Sequence, residues 1–184
     1  MSPRLWKPGS PITFGAWKKL SVRCLDFKAE VAQFFTLGHS IIMSLWRQKA
    51  VEMFPELIAR FEDAHTPYLL WFELRDTFEH AYEQTPRDES LIRRIYKYSD
   101  WCCDQPRGAT AADDLLTCVA VCFYEHIPEN PSAREDMPRW WRPEDLAGER
   151  SVFQYNLSAE EFSELKNFLS RESHRYDSSL RTVA

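Results

Sequence analysis

DDLLTCVAVCFYEHIPENPSAREDMPRWWRPED, residues 113–145, is the stretch whose reading decides the fold. At 100° per residue, Leu115, Val119, Cys122 and His126 fall on one stripe. Leu116, Ala120, Phe123 and Ile127 fall on the next, and Val121 and Tyr124 cover much of what remains. A helix that is apolar almost all round is a buried helix. A buried parallel strand would also be apolar on both faces, but the length of the run and its Ala and Leu content favour a helix over 115–126. At about 12 residues it is too short to cross a bilayer. Pro128 forces the preceding residue out of the helical region and so stops it.

Past that proline the chain is punctuated. Ser132 and Glu135 have capping-box spacing, which predicts a brief helical turn that Pro138 limits. Trp140 and Trp141 follow, read as a core plug with Trp140 inward and Trp141 partly exposed. Pro143-Glu144-Asp145 suits a first helical turn, with Pro at the first position and acids at the positive end of the dipole.

Working outward, Ser44 to Phe54 has helical spacing, and Pro55 opens a second helix to Ala64. Thr66-Pro67 reads as cap and first residue of a third, through about Gln84, with Trp71, Leu74, Phe78 and Tyr82 inward. Asp88 caps a fourth, whose stripe is Leu91, Ile95, Tyr98 and Cys102. Val152 to Leu157 suggests a short strand or extended connection. Ser158 with Glu161 is a second capping box, opening a last helix to about Arg171, with Phe162, Leu165, Phe168 and Leu169 inward. The expected fold is all-α: six to seven helices packed around residues 115–126.

A chain of 184 residues with 44% hydrophobic and 14% aromatic residues is long enough for one domain with a real core. Its net charge of −5 hides a split. Residues 1–42 carry six basic and two acidic residues, a net +4, and the remainder is −9. The first stretch is also broken by Pro3, Pro8, Gly9, Pro11 and Gly15. It therefore reads as a disordered basic arm or an upstream extension ahead of a start at Met43, with one helical domain over 43–173 and a tail over 174–184. An acidic main domain disfavours nucleic-acid phosphate as a partner. Mean hydropathy is −0.48 and no run of 18 apolar residues occurs, which argues against a membrane span. Residues 1–42 lack the apolar core of an export signal. Five cysteines without such a signal suit reduced thiols in a cytoplasmic protein.

Two groups of residues carry possible chemistry. Glu73, Asp76, His80 and Glu83 fall within about 80° of one another on the third helix. They form either a solvated acidic face or an acid/base or metal site; the Glu-x-x-His motif of helix-bundle carboxylate sites is missing from this helix. The second group is the corner Glu125, His126, Arg134, Asp136 and Trp140, at a helix end beside a proline loop. In the simpler reading Glu125 and His126 hydrogen-bond the loop and Arg134 pairs with an acid. Cys118, Cys122 and His126 share a stripe, but residues eight apart on a helix lie about 12 Å apart and cannot all bind one ion. No phosphate loop, dinucleotide fingerprint or recognisable nucleophile setting occurs. No metal and no cofactor are expected.

Tyr124-Glu125-His126-Ile127-Pro128, with Arg134, Asp136, Pro138, Trp140 and Pro143-Glu144-Asp145, resembles a family of uncharacterised bacterial proteins known only as a domain of unknown function. Ile127 stands where the family has Leu. The likeness runs from about Trp46 to Leu146 and leaves both ends uncovered. It implies a small, soluble, all-helical bacterial domain and implies no activity. Together these readings favour a non-catalytic interaction module, immunity- or adaptor-like, that binds a basic protein surface through acidic helical faces. The alternative is a small enzyme or metal-binding protein using Glu73, Asp76, His80 and Glu83, or the Glu125–His126 corner.

Overall fold

A computed structural model of the chain describes residues 44–180, with side chains described as far as residue 172. The stretch read as a basic arm or upstream extension, and the start at Met43, lie outside those residues. Among the described residues the fold is all-α: nine α-helices with intervening 3-10 turns and no strand. They fall into two compact units, residues 44–124 and residues 125–180.

The first unit contains α1 (Leu45–Met53), a 3-10 turn (Pro55–Leu57), α2 (Ile58–Phe61), α3 (Pro67–Glu83), α4 (Glu89–Cys103) and α5 (Leu115–Cys122). The caps are those the sequence specifies. Thr66 Oγ1 accepts from the Leu69 N–H at 3.2 Å, and Asp88 Oδ1 from the Leu91 N–H at 2.9 Å. Trp71, Leu74, Phe78 and Tyr82 of α3 are buried, as are Leu91, Ile95, Tyr98 and Cys102 of α4. These stripes meet because α3, α4 and α5 pack on one another. Trp71 stacks on Tyr98 and on Phe123, each at 5.3 Å between centroids, and Phe78 meets Phe123 edge-on at 4.8 Å. Offset and edge-to-face ring pairs add about 0.5–1.5 kcal/mol each beyond their buried area.

Side-chain donors tie the short N-terminal helices to this core. Arg47 donates to the Phe61 carbonyl at 2.6 Å and to that of Glu62 at 2.9 Å, satisfying groups left open where α2 ends. Arg94 donates to the Met53 carbonyl at the end of α1, and the Tyr98 hydroxyl donates to the Trp46 carbonyl, both at 2.9 Å. Ahead of α5, the buried Asp114 carboxylate pairs with Arg107 at 2.6 Å and accepts from the Gly108 N–H at 3.3 Å. A Cβ at Gly108 would lie 2.4 Å from the Asp114 backbone nitrogen, so this close approach requires glycine.

The buried central helix is present but shorter than the expected 115–126. It ends at Cys122, and Tyr124–Glu129 winds as a 3-10 helix containing Pro128. Pro128 has no N–H to bond the Tyr124 carbonyl, and its ring crowds that carbonyl, so regular α-winding cannot reach the proline.

The second unit contains α6 (Pro131–Asp136), a 3-10 turn (Met137–Arg139), α7 (Pro143–Gly148), α8 (Arg150–Phe153) and α9 (Ala159–Leu180). The long α9 packs on α7 and on the 3-10 turn. Ala133, Met137, Leu146, Phe153, Leu165 and Leu169 are buried. The Ser158–Glu161 capping box forms in both directions: the Ser158 N–H donates to Glu161 Oε2 at 2.8 Å, and the Glu161 N–H to Ser158 Oγ at 3.2 Å.

Four local expectations are corrected here. The cap of α6 is Asn130, which accepts from the Ala133 N–H at 3.0 Å; with Pro131 at the first position the helix begins before Ser132 can cap it. Val152 and Phe153 are helical, because both their N–H groups bond the Glu149 carbonyl. Trp141, expected partly exposed, is fully buried edge-on against Phe153 at 5.1 Å, whereas Trp140 keeps 8% of its surface exposed. The last helix continues past Arg171 to Leu180, through most of the span read as a tail. No described helix is long and apolar enough to cross a membrane.

Candidate functional site

The α3 face opposite the ring core is open to solvent. Asp76, His80 and Glu83 are exposed and Glu73 is half-buried. His80 Nδ1 lies 3.6 Å from Glu83 Oε2. Arg75 is the one arginine or lysine on the helix and lies 3.7 Å from Asp76 and 3.8 Å from Glu79. Such exposed contacts are weak, so the acids remain available to an outside cation. Among the described residues, no three His, Cys, Asp or Glu side chains are placed to share a metal ion.

The five corner residues separate into three settings within residues 125–180. Glu125 is buried, and burial together with the neighbouring Glu129 pushes its carboxyl up to about 7. His126 Nδ1 sits 2.9 Å from Glu129 Oε2, and Asn156 Nδ2 donates to the Glu125 carbonyl at 3.2 Å. Asp136 and Trp140 form a separate structural cluster: the Trp140 indole N–H donates to Asp136 Oδ2 at 2.9 Å, and Arg139 pairs with Asp136 at 3.1 Å. Arg139 thus pairs with this acid, while Arg134 acts on the Glu161 carboxylate. The three-residue spacing Asp136–Arg139 brings the groups together over the Met137–Arg139 turn. Arg134 lines a groove of about 500 Å³ between α6 and α9.

Other groups went unread in the sequence. Glu149, 2% exposed, has its carboxyl pushed up to about 8 by burial and then by Asp145. Burial also raises Asp145, whose Oδ2 is buried without a hydrogen-bond partner. Their i,i+4 spacing was legible; their burial was not, because acids at that spacing normally face water. In the first unit, burial and then Asp104 raise the Asp100 carboxyl to about 7. Cys102, Cys118 and Cys122 are buried and Cys103 is half-buried, none of them in a disulfide. Burial lifts the Cys118 thiol to about 12, and its sulfur lies 3.6 Å from the Ala112 carbonyl oxygen, the setting of an inert core thiol.

Compared with known proteins, the chain matches no family model, no curated protein and no solved structure.

Proposed function

We propose that this chain is a non-catalytic interaction module, cytoplasmic and immunity- or adaptor-like, that receives a basic protein surface on the outer face of α3. The supporting observation is the division of α3 into two faces. Its inner side is committed to the ring core, and its outer side presents Glu73, Asp76, Glu79 and Glu83 against the single cation Arg75. The −9 charge of residues 43–184 extends the same sign beyond one helix, which favours rapid, salt-sensitive encounter with a cationic surface. Buried thiols outside any disulfide fit a reducing compartment.

The test is a pull-down from the native host with the full chain and with the triple variant E73Q/D76N/E83Q. The expected result is a stoichiometric basic partner whose affinity falls by roughly tenfold or more in the variant and weakens with salt. Unchanged affinity in the variant would remove the α3 face.

One observation favours a second reading, a small acid–base enzyme centred on Glu125. A carboxyl pushed up to about 7 by burial and by Glu129, whose own carboxylate meets His126, has the titration range of a general acid or base. An empty pull-down, together with turnover of some substrate that Glu125→Gln abolishes, would support it instead.

A further inference from the structure

We propose that the groove between α6 and α9 is a binding site for a free α-amino acid with an apolar side chain. Its walls are two helical stripes. One comes from α9 at Glu164, Asn167, Phe168 and Arg171, positions that share a face at helical pitch; the other comes from α6 at Pro131, Arg134 and Glu135. At about 500 Å³ the space lies within the roughly 300–1,000 Å³ range of small-molecule sites.

The lining selects the ligand by charge. Arg134 and Arg171 offer planar forks of donors that match a carboxylate. Glu135 and Glu164 offer acceptors to an ammonium group. The half-buried Phe168 gives an apolar side chain a surface to lie on, and Asn167 adds a donor and an acceptor. Among the described residues no ion pair joins these four charges to one another, although Arg134 also acts on the Glu161 carboxylate. A simple anion in the groove would face two carboxylates, and a simple cation would face two guanidiniums. A zwitterion leaves neither pair of like charges opposed, so the mixed lining rejects the singly charged analogues.

The experiment is isothermal titration calorimetry of the full chain with phenylalanine. N-acetylphenylalanine, in which the ammonium is masked, phenylalaninamide, in which the carboxylate is masked, and glycine serve as comparisons. Phenylalanine is expected to saturate with a Kd on the order of 1 mM, appropriate to a ligand of its size. Each comparison ligand should bind about tenfold more weakly or not at all. Arg171→Gln, an exposed position, should abolish phenylalanine binding without moving the thermal midpoint. Absence of saturable heat with phenylalanine overturns the proposal. Equal binding of N-acetylphenylalanine also overturns it, reassigning the groove to peptide C-termini, and equal binding of glycine removes the role of Phe168. The ligand arms use the unmodified chain, so they remain decisive even if the variant folds poorly.

Discussion

In residues 44–124 the core is a run of aromatic rings carried on long helices. α3 has 17 residues and α4 has 15, and Trp71, Tyr98, Phe123 and Phe78 meet where their stripes converge. In residues 125–180 three of the helices have six, six and four residues, and carboxylates take part in local contacts: Asp136 takes Trp140 and Arg139 past the end of α6, Glu161 takes the Ser158 N–H at the start of α9, and the Glu149 carboxyl is buried. A long helix adds up many small preferences and presents a whole apolar stripe. A short helix is too brief to be stable by propensity and depends on individual caps and contacts. The first unit should therefore be most sensitive to lost volume, and the second to charge and pH.

The largest expected effect comes from the ring run. Trp71→Ala removes the ring that stacks on both Tyr98 and Phe123 and leaves a cavity at a fully buried position. It should cost about 3–5 kcal/mol, read as a lowered urea midpoint with an unchanged slope. A loss below about 1 kcal/mol would show that these rings do not form the core.

The second effect tests the contrast by pH. Glu149 titrates near 8 when folded and near its ordinary 4.5 when unfolded, so the folded state holds the proton more tightly. The native chain is therefore favoured fully below pH 4.5, and this contribution is lost as pH rises through about 8. Arg142 and Glu144 act on the neighbouring Asp145 in opposite senses. Glu149→Gln keeps the shape and removes the ionisation. The variant should match the wild type at pH 4 and exceed it by on the order of 3 kcal/mol at pH 8. The measurement is paired denaturant titrations across that range, and a gap that stays constant with pH would show that Glu149 does not ionise in a buried setting.

The same contrast explains what the sequence made legible. The all-α class, the inner faces of α3 and α4 and the caps Thr66, Asp88 and Ser158 were readable, because each is a local pattern with one physical solution. The end of α5 was misread because the α-to-3-10 change precedes Pro128 by several residues, and the hydrophobic stripe runs through it unbroken. Trp140 was read correctly as inward, but Trp141 was misread as partly exposed, because adjacent tryptophans give no periodic signal. Only Asp136, one turn back, shows that Trp140 keeps a tethered polar edge while Trp141 goes under. The acidic residues of α3 were legible as a face. The corner residues were legible as a sequence cluster but divide between a loop, a turn and a groove wall. Side chains on separate short elements of a proline-broken chain have no fixed relation until those elements are placed. The burial of Glu149 had no signal at all, since nothing in Pro-Glu-Asp-Leu-Ala-Gly-Glu separates a buried acid from a solvated one.

The smallest effect tests how far a helix end matters in the second unit. The reciprocal bonds between Ser158 and Glu161 are exposed and make no contribution to core packing. Ser158→Ala deletes the hydroxyl acceptor for the Glu161 N–H and weakens the start of α9, at a cost of about 1 kcal/mol. Because α9 packs on α7, loosening its first turn should also raise amide exchange in α7 while exchange in α3 and α4 stays unchanged. Hydrogen-exchange mass spectrometry reads both regions in one experiment. Faster exchange confined to the first turn of α9 would mean that α7 is held by its packed side chains and does not depend on the cap of α9.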